Sequence, residues 1–420
     1  MNKEELKIEI ENLQIQDDFS DFINYISTNN VKLTAQANHI GPKDCFAINN
    51  LLYHKQAVKH NKLKHPKYHA IWLFFQLGLT SGLLEIDDQK SSNYLKVNEE
   101  KFSYFMSFNK VEKYLMLLET LWVKCCLENL NPDGRGPDFQ ENLNDFFESL
   151  EESLPNKNEP NNLFYSHYND VIIQLPFFGW WDYSLKKDTT YYDIVEEVDI
   201  SLLGEFFIKK LKAERPLLFW NKHSRINKSY LFETTFMMFQ YERTDLSEED
   251  INKLLDRVSK ESFLDVFTDN FEEGILDKKN FYSSNTQDNN YIFKVALTKK
   301  IWRKIKISSL ATFEDLHIAI MQAFNFDNDH LYAFFLSGTV YKGDSLKDPR
   351  REEAPFADEV EIKEADLQNG DKIAYLFDYI AGWQFLLKLE EIETNTTPLS
   401  KPQIVDTKGE APEQYPDWEE

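Results

Sequence analysis

Eight consecutive polar, turn-forming residues, SSNTQDNN at 283–290, divide the chain into two stretches of different texture. Before them, apolar residues recur mostly at helical spacing; after them come short runs of β type. A chain of 420 residues is too long for one ordinary domain, so the principal boundary is placed at this linker. Two further polar loops, NPDGRGPDFQ from Asn131 and LPNKNEPNN from Leu154, subdivide the helical part. The expected domains are therefore 1–130, 131–282 and 290–420.

Hydrophobic residues make up 42% of the chain, enough for real cores, and 33 Phe with 20 Tyr predict bulky aromatic interiors. The net charge of −24 argues against a protein that coats nucleic acid through its overall field, while leaving room for a local basic patch. The three cysteines, Cys45, Cys125 and Cys126, form no C-x-x-C pair, which fits a reducing cytoplasmic setting. The first residues, MNKEELKIEIENLQ, show no secretory pattern. The most apolar run, AIWLFFQLGL at 70–79, is half the length a bilayer span needs. A soluble, cytoplasmic protein without a membrane partner is expected.

In the first region, Pro42 opens a helix through about Leu52, and Pro66 opens a second through Leu79. Leu83–Ile86 and Tyr94–Val97 flank a polar turn and read as a hairpin, after which Asn98 or Glu99 starts another helix. Helix, helix, hairpin, helix is the order of a winged-helix domain. It recurs more faintly over 162–211, where Ile194–Val198 precedes a helix from Leu203 to Leu211, so a tandem winged-helix arrangement is the reading for the helical part.

The C-terminal region reads as α+β. Tyr291–Leu297 and Ile301–Ile307 form strands around the turn Thr298–Lys300. In the second strand Ile301, Arg303, Ile305 and Ile307 share one face, while Trp302, Lys304 and Lys306 share the other. Thr312 caps a helix through Phe324 whose Phe313, Leu316, Ile320 and Phe324 make one stripe. Leu331–Leu336 with Thr339–Lys342 is a further hairpin, and Asp371–Phe377 with Trp383–Ile392 are the last strands, turning at Ala381-Gly382. One helix on one face of a mixed or antiparallel sheet is β-grasp-like.

The phrases IWRKIKI, TFEDLHIAIMQAFNFDNDHLYAFFLSG and GDKIAYLFDYIAGWQFLLKLEEI, with the tail PQIVDTKGEAPEQYPDWEE, resemble the plasmid pRiA4b ORF-3-like family over about the last 130 residues. The resemblance implies a bacterial protein of a family found on plasmids and near mobile elements, without an established activity. The phrase VKLTAQANHIGPKD is similar to one in the helical N-terminal regions of some relatives. The family often carries D-F-G-D-x-W after the penultimate strand. Here Asp378 remains, Ile380 and Ala381 replace the following Gly and Asp, and Phe385 stands where many members have His. The Cys- and Gly-containing end of many relatives is absent.

The polar residues of this domain that can converge are Asp378, Asp329, His330 and His317, a set suited to binding a metal or to acid–base work. The structural reading is favoured: Asp378 pairs with Arg303, which the strand pattern places on the apolar face, and Trp302 and Trp383 are structural too. Upstream, His54, His60, His65 and His69 crowd one segment, but no H-E-x-x-H pattern supports zinc. Neither a metal nor a cofactor is expected. Between Asp44 and Glu85 there is no acid, while Lys55, Lys59, Lys62, Lys64 and Lys67 lie there, a candidate DNA-contacting patch if not a solvated loop. The helix that follows offers few polar groups for reading bases. Phe177, Phe178, Trp180 and Trp181 make either core or an aromatic surface, and Gly134–Gly136 is no phosphate loop. An open sheet edge of this domain either binds a partner by strand addition or is guarded against it by Lys304 and Lys306. The first expectation is a non-enzymatic accessory protein that binds a protein partner or DNA. The second is an enzyme using Asp378 and His330.

Overall fold

The computed structural model describes residues 1–35, 37–58, 61–87, 93–131, 139, 142–147, 169–186, 195–226, 253, 257–258, 261–271, 289–341, 345–352, 355–365, 367, 369–393 and 396–415. Lys59, His60, the glycines of 134–136, the loop 154–162, Ile194, Lys342 and most of the 283–290 linker lie outside them. The chain divides into two compact units, residues 1–221 with 253–281, and residues 222–252 with 282–420.

The first unit is largely helical. It begins with α1 (Lys3–Asn12), α2 (Ile15–Thr28), α3 (Pro42–Leu51) and α4 (His69–Thr80). The hairpin of β1 (Leu84–Asp87) and β2 (Tyr94–Val97) follows, then α5 (Glu99–Met106) and α6 (Lys110–Glu119). Ile15, Phe19, Phe22, Ile23 and Ile26 recur at helical spacing, and all are buried. Phe19 meets Phe74 of α4 and Phe105 of α5 edge-on, at centroid distances of 5.7 and 5.5 Å. Among its twelve residues α4 buries eight and leaves none fully exposed, so it is a core helix.

Further along, α7 (Asn169–Gln174) precedes the hairpin of β3 (Trp181–Leu185) and β4 (Val195–Ile200), then α8 (Leu202–Glu214). Trp180 and Trp181 are core, not surface. Trp180 Nε1 donates to the Tyr114 hydroxyl (3.0 Å) and Trp181 Nε1 to the Ile172 carbonyl (2.9 Å), so both indoles are satisfied in the interior. Ser201 caps α8 by accepting from Gly204 N–H (2.9 Å). Gly204 itself faces the Trp180 carbonyl so closely that a Cβ would overlap it.

The second unit centres on a seven-stranded sheet with the order β11-β6-β5-β10-β9-β7-β8, every neighbouring pair antiparallel. Its strands are β5 (Asn290–Ala296), β6 (Trp302–Ser308), β7 (Tyr332–Phe335), β8 (Ser345–Lys347), β9 (Lys372–Phe377), β10 (Trp383–Glu393) and β11 (Gln403–Lys408). The helix α9 (Phe313–Phe324) is closed at its start by a capping box, Thr312 and Asp315 exchanging side-chain and backbone bonds. Its stripe of Phe313, Leu316, Ile320 and Phe324 is buried in one core with Phe293, Ile305, Leu387 and Phe385. A second small cluster, Ala333, Phe335, Ala374 and Leu376, packs separately from that core.

Two expectations are corrected. The partner of β7 is β8 at 345–347, not Thr339–Lys342: residues 336–341 turn, with Gly338 at φ +74°, and Leu346 supplies the apolar side chain the core requires. The sheet edge beside β6 is covered by β11. Lys304 and Lys306 therefore guard no edge; they pair with Glu390 (2.8 Å) and Glu393 (2.6 Å) of β10, across β5. No helix among the described residues is long and apolar enough to cross a membrane.

Candidate functional site

The turn after β9 builds the polar cluster of the second unit. Asp378 sits there in the left-handed region (φ +53°), where Asp is tolerated because its short side chain bonds locally. Its Oδ1 accepts from Ile380 N–H (2.9 Å) and Ala381 N–H (3.1 Å), while its own N–H donates to the Leu331 carbonyl (3.0 Å). Oδ2 accepts from the Tyr415 hydroxyl at 3.4 Å and lies 3.7 Å from His330 Nε2. Asp378 is buried. Asp329 and His330 come from the loop between α9 and β7. His330 Nδ1 stands 2.9 Å from Asp329 Oδ1 and 2.8 Å from the Tyr415 oxygen, and that hydroxyl also donates to Asp329 Oδ1 (3.1 Å).

These contacts move the titrations. The hydrogen bond to Asp329 raises His330 above its ordinary value. Desolvation works against the Asp329 carboxylate, but bonds from His330 and Tyr415 outweigh it and hold its pKa down. Burial, together with the Asp329 carboxylate, pushes the Tyr415 phenol up to about 12. Gln414 adds a bond to the Asp327 carbonyl (3.1 Å). Asp378, Asp329 and His330 thus converge, and the fourth member that sequence reasoning missed is Tyr415.

His317 does not join them through any described contact. It is buried, stacked on Tyr332 at a centroid distance of 3.7 Å, with Nδ1 2.6 Å from the Tyr375 hydroxyl. Burial lowers its pKa to about 4, so it is neutral at pH 7. Sequence reasoning also missed the Asp348–Arg350 pair, in which buried Asp348 receives the guanidinium from Nε (2.9 Å) and Nη2 (2.5 Å). The string KDPR, an Asp-Pro turn followed by Arg, was its available signal.

The expected Arg303–Asp378 pair is not formed. Arg303 does face the interior, but its Nε donates to the Ala323 carbonyl (2.9 Å), and Nη1 to the carbonyls of Trp302 (2.9 Å), Lys408 (3.1 Å) and Gly409 (3.0 Å). The cation sits over the Phe324 ring at 4.8 Å. A cation satisfied by four backbone carbonyls, that of Ala323 at the end of α9 among them, needs no carboxylate. Trp302 is half-buried under Lys294 and Lys304, while Trp383 packs edge-on against Phe326 at 4.9 Å. Phe385 packs a buried ring against Phe324, also at 4.9 Å.

In the first unit, Lys55, Lys62, Lys64 and Lys67 are exposed. His65 is buried against Trp72 and Phe75, its Nδ1 accepting from Ile40 N–H (3.3 Å), and burial holds its pKa near 3. His69 instead meets Gln174 Nε2 (3.3 Å).

No curated protein matches this chain. A crystal structure of a protein of unknown function from Methanosarcina mazei Go1 is similar over 30% of this chain and 72% of its own, at 23% identity and a TM-score of 0.26. Residues 289–415, the C-terminal domain, match the plasmid pRiA4b ORF-3-like protein family, in agreement with the motifs quoted above.

Proposed function

We propose that this is a non-enzymatic accessory protein whose C-terminal domain receives an extended segment of a protein partner along β11. The observation that carries the reading is the condition of that strand. It ends the sheet order, all six of its residues are exposed, and no strand pairs with its outer side among the described residues. Ile404 and Val405 are 48% and 47% exposed, an apolar pair beside open backbone donors and acceptors. Asp406, Lys408 and the bulge between Ile404 and Asp406 weigh against pairing of β11 with a second β11, so a partner of complementary sequence is favoured. The polar cluster is then a fastening: both oxygens of Asp378 are engaged, and Tyr415 ties residues 414–415 to the loop before β7. A β-grasp-like description rests on α9 packing on one face of the sheet.

A second reading, DNA contact, rests on the acid-free run with exposed Lys55, Lys62, Lys64 and Lys67, and on the order α3, α4, hairpin, α5, repeated as α7, hairpin, α8. That order is what a tandem winged-helix description has in its favour. Because α4 is buried, such contact would reach phosphates and not bases. The enzyme reading has the 3.7 Å approach of His330 to Asp378 as its support.

Peptides selected from a displayed random library against the full chain test the first reading. Extended peptides are expected to bind at least about tenfold more weakly to Val405→Pro, which removes a backbone donor from the edge. Equal binding to both proteins removes strand addition. In a parallel titration of mixed-sequence duplex DNA, salt-sensitive binding lost on changing the four exposed lysines to Gln selects the second reading instead.

A further inference from the structure

The first unit contains a cleft of about 310 Å³, which shares only Lys55 with the residues of the DNA reading. Three segments wall it: the loop after α3 with His54 and Lys55, the first turn of α4 from His69, and the stretch around β3 with Phe177 and Asp182. His54 is held by Asp18 of α2, a buried carboxylate with no lysine or arginine against it among the described contacts. Asp18 Oδ1 accepts from Tyr53 N–H (2.6 Å), and Oδ2 accepts from His54 N–H (3.0 Å) and from His54 Nδ1 (2.7 Å). Three donors on one carboxylate fix both the loop and the ring. In the neutral ring with Nδ1–H given to Asp18, Nε2 is an acceptor, without a partner among the described residues. The ring is braced edge-on by Phe177 at 5.4 Å and Tyr53 at 5.2 Å.

Charges of both signs surround this imidazole: Asp18 holds it from behind, while Lys55 and Asp182 line the cleft in front of it. Lys55 stands on the same wall, α4 starts there with no side-chain cap, and no acid occurs between residues 44 and 85. The carboxylate that does line the cleft, Asp182, comes from β3 and favours a hydrogen-bond donor near it. We propose that this cleft binds a small organic anion that also carries a hydroxyl or amine. Its phosphate or carboxylate lies by Lys55 and the start of α4, and His54 Nε2 accepts from its O–H or N–H. Phe177 flanks the carbon skeleton. A purely structural Asp18–His54 pair would hold the loop equally well but give the cleft no ligand.

Calorimetric titration of the full chain with glycerol 3-phosphate and with malate, and with glycerol as the uncharged control, separates these cases. Saturable binding of at least one anion, with Kd of about 1 mM or tighter, is expected, the two arms telling phosphate from carboxylate. It should weaken about tenfold in Lys55→Gln and again in His54→Gln, with circular dichroism confirming the fold. Lys55 is exposed, so its variant keeps the test open should His54→Gln not fold. The proposal is overturned if neither anion binds at about 10 mM, if glycerol binds as well as the anions, or if binding survives in both variants.

Discussion

Arg303 and Asp378 show how far single residues can be read in advance. The alternation of IWRKIKI correctly places the guanidinium on the buried face, because a strand's period of two is local information. Its partners are backbone carbonyls at the end of α9 and at 408–409, and no side-chain pattern advertises a carbonyl. Tyr415 escaped notice for a related reason, being 85 residues from His330 in sequence. The convergence of Asp329, His330 and Asp378 was legible because polar residues flanking apolar strands collect at one end of a sheet. The pH response of this cluster is checkable. Since Asp329 raises His330, the pair's contribution to stability is fully present below the unfolded histidine value of about 6.5 and is lost as pH rises through the raised folded value. At the acid end it is lost again as pH falls through the lowered Asp329 value. NMR titration of the His330 ring should give a pKa above 6.5 that drops toward the ordinary value in Asp329→Asn; an unchanged midpoint removes the pairing.

At the scale of elements, the approach of α8 to the hairpin is the tightest described for any glycine, since Gly204 meets the Trp180 backbone. Gly204→Ala forces a rigid carbonyl or the helix to shift and is expected to cost roughly 1–3 kcal/mol, measured by urea denaturation. A loss under about 0.5 kcal/mol would mean that the helix yields freely. Most elements were readable: Thr312 with Asp315 marks the start of α9, and the alternation of β5 and β6 marks their inner face. Those that were not share a cause. In β11 every side chain is exposed, so it has no apolar period to detect, and its existence depends on the β6 backbone beside it. In β8, three residues carry too little pattern to outweigh the neighbouring Thr339–Lys342 run. The apolar run of α4 announced burial but not that the helix start would wall a cleft, because that depends on residues a hundred positions away.

For the molecule as a whole, two compact units predict thermal unfolding that departs from a single two-state transition. Gly204→Ala should lower one calorimetric component, and Arg303→Met, which strips four carbonyls of their donor, should lower the other by several degrees. One shared transition moved by both substitutions would contradict that division. The paired charges of the sheet have a consequence of their own. Lys304 and Lys306 reach over β5 to Glu390 and Glu393; lysines two residues apart meet glutamates three apart because β10 carries an extra residue between Leu389 and Glu391. If β6 slid by one residue, both ammonium groups would turn toward the apolar core and both glutamates would be stranded. The bridges thus act as a proofreading key during assembly, admitting one alignment of strands and rejecting its nearest neighbours.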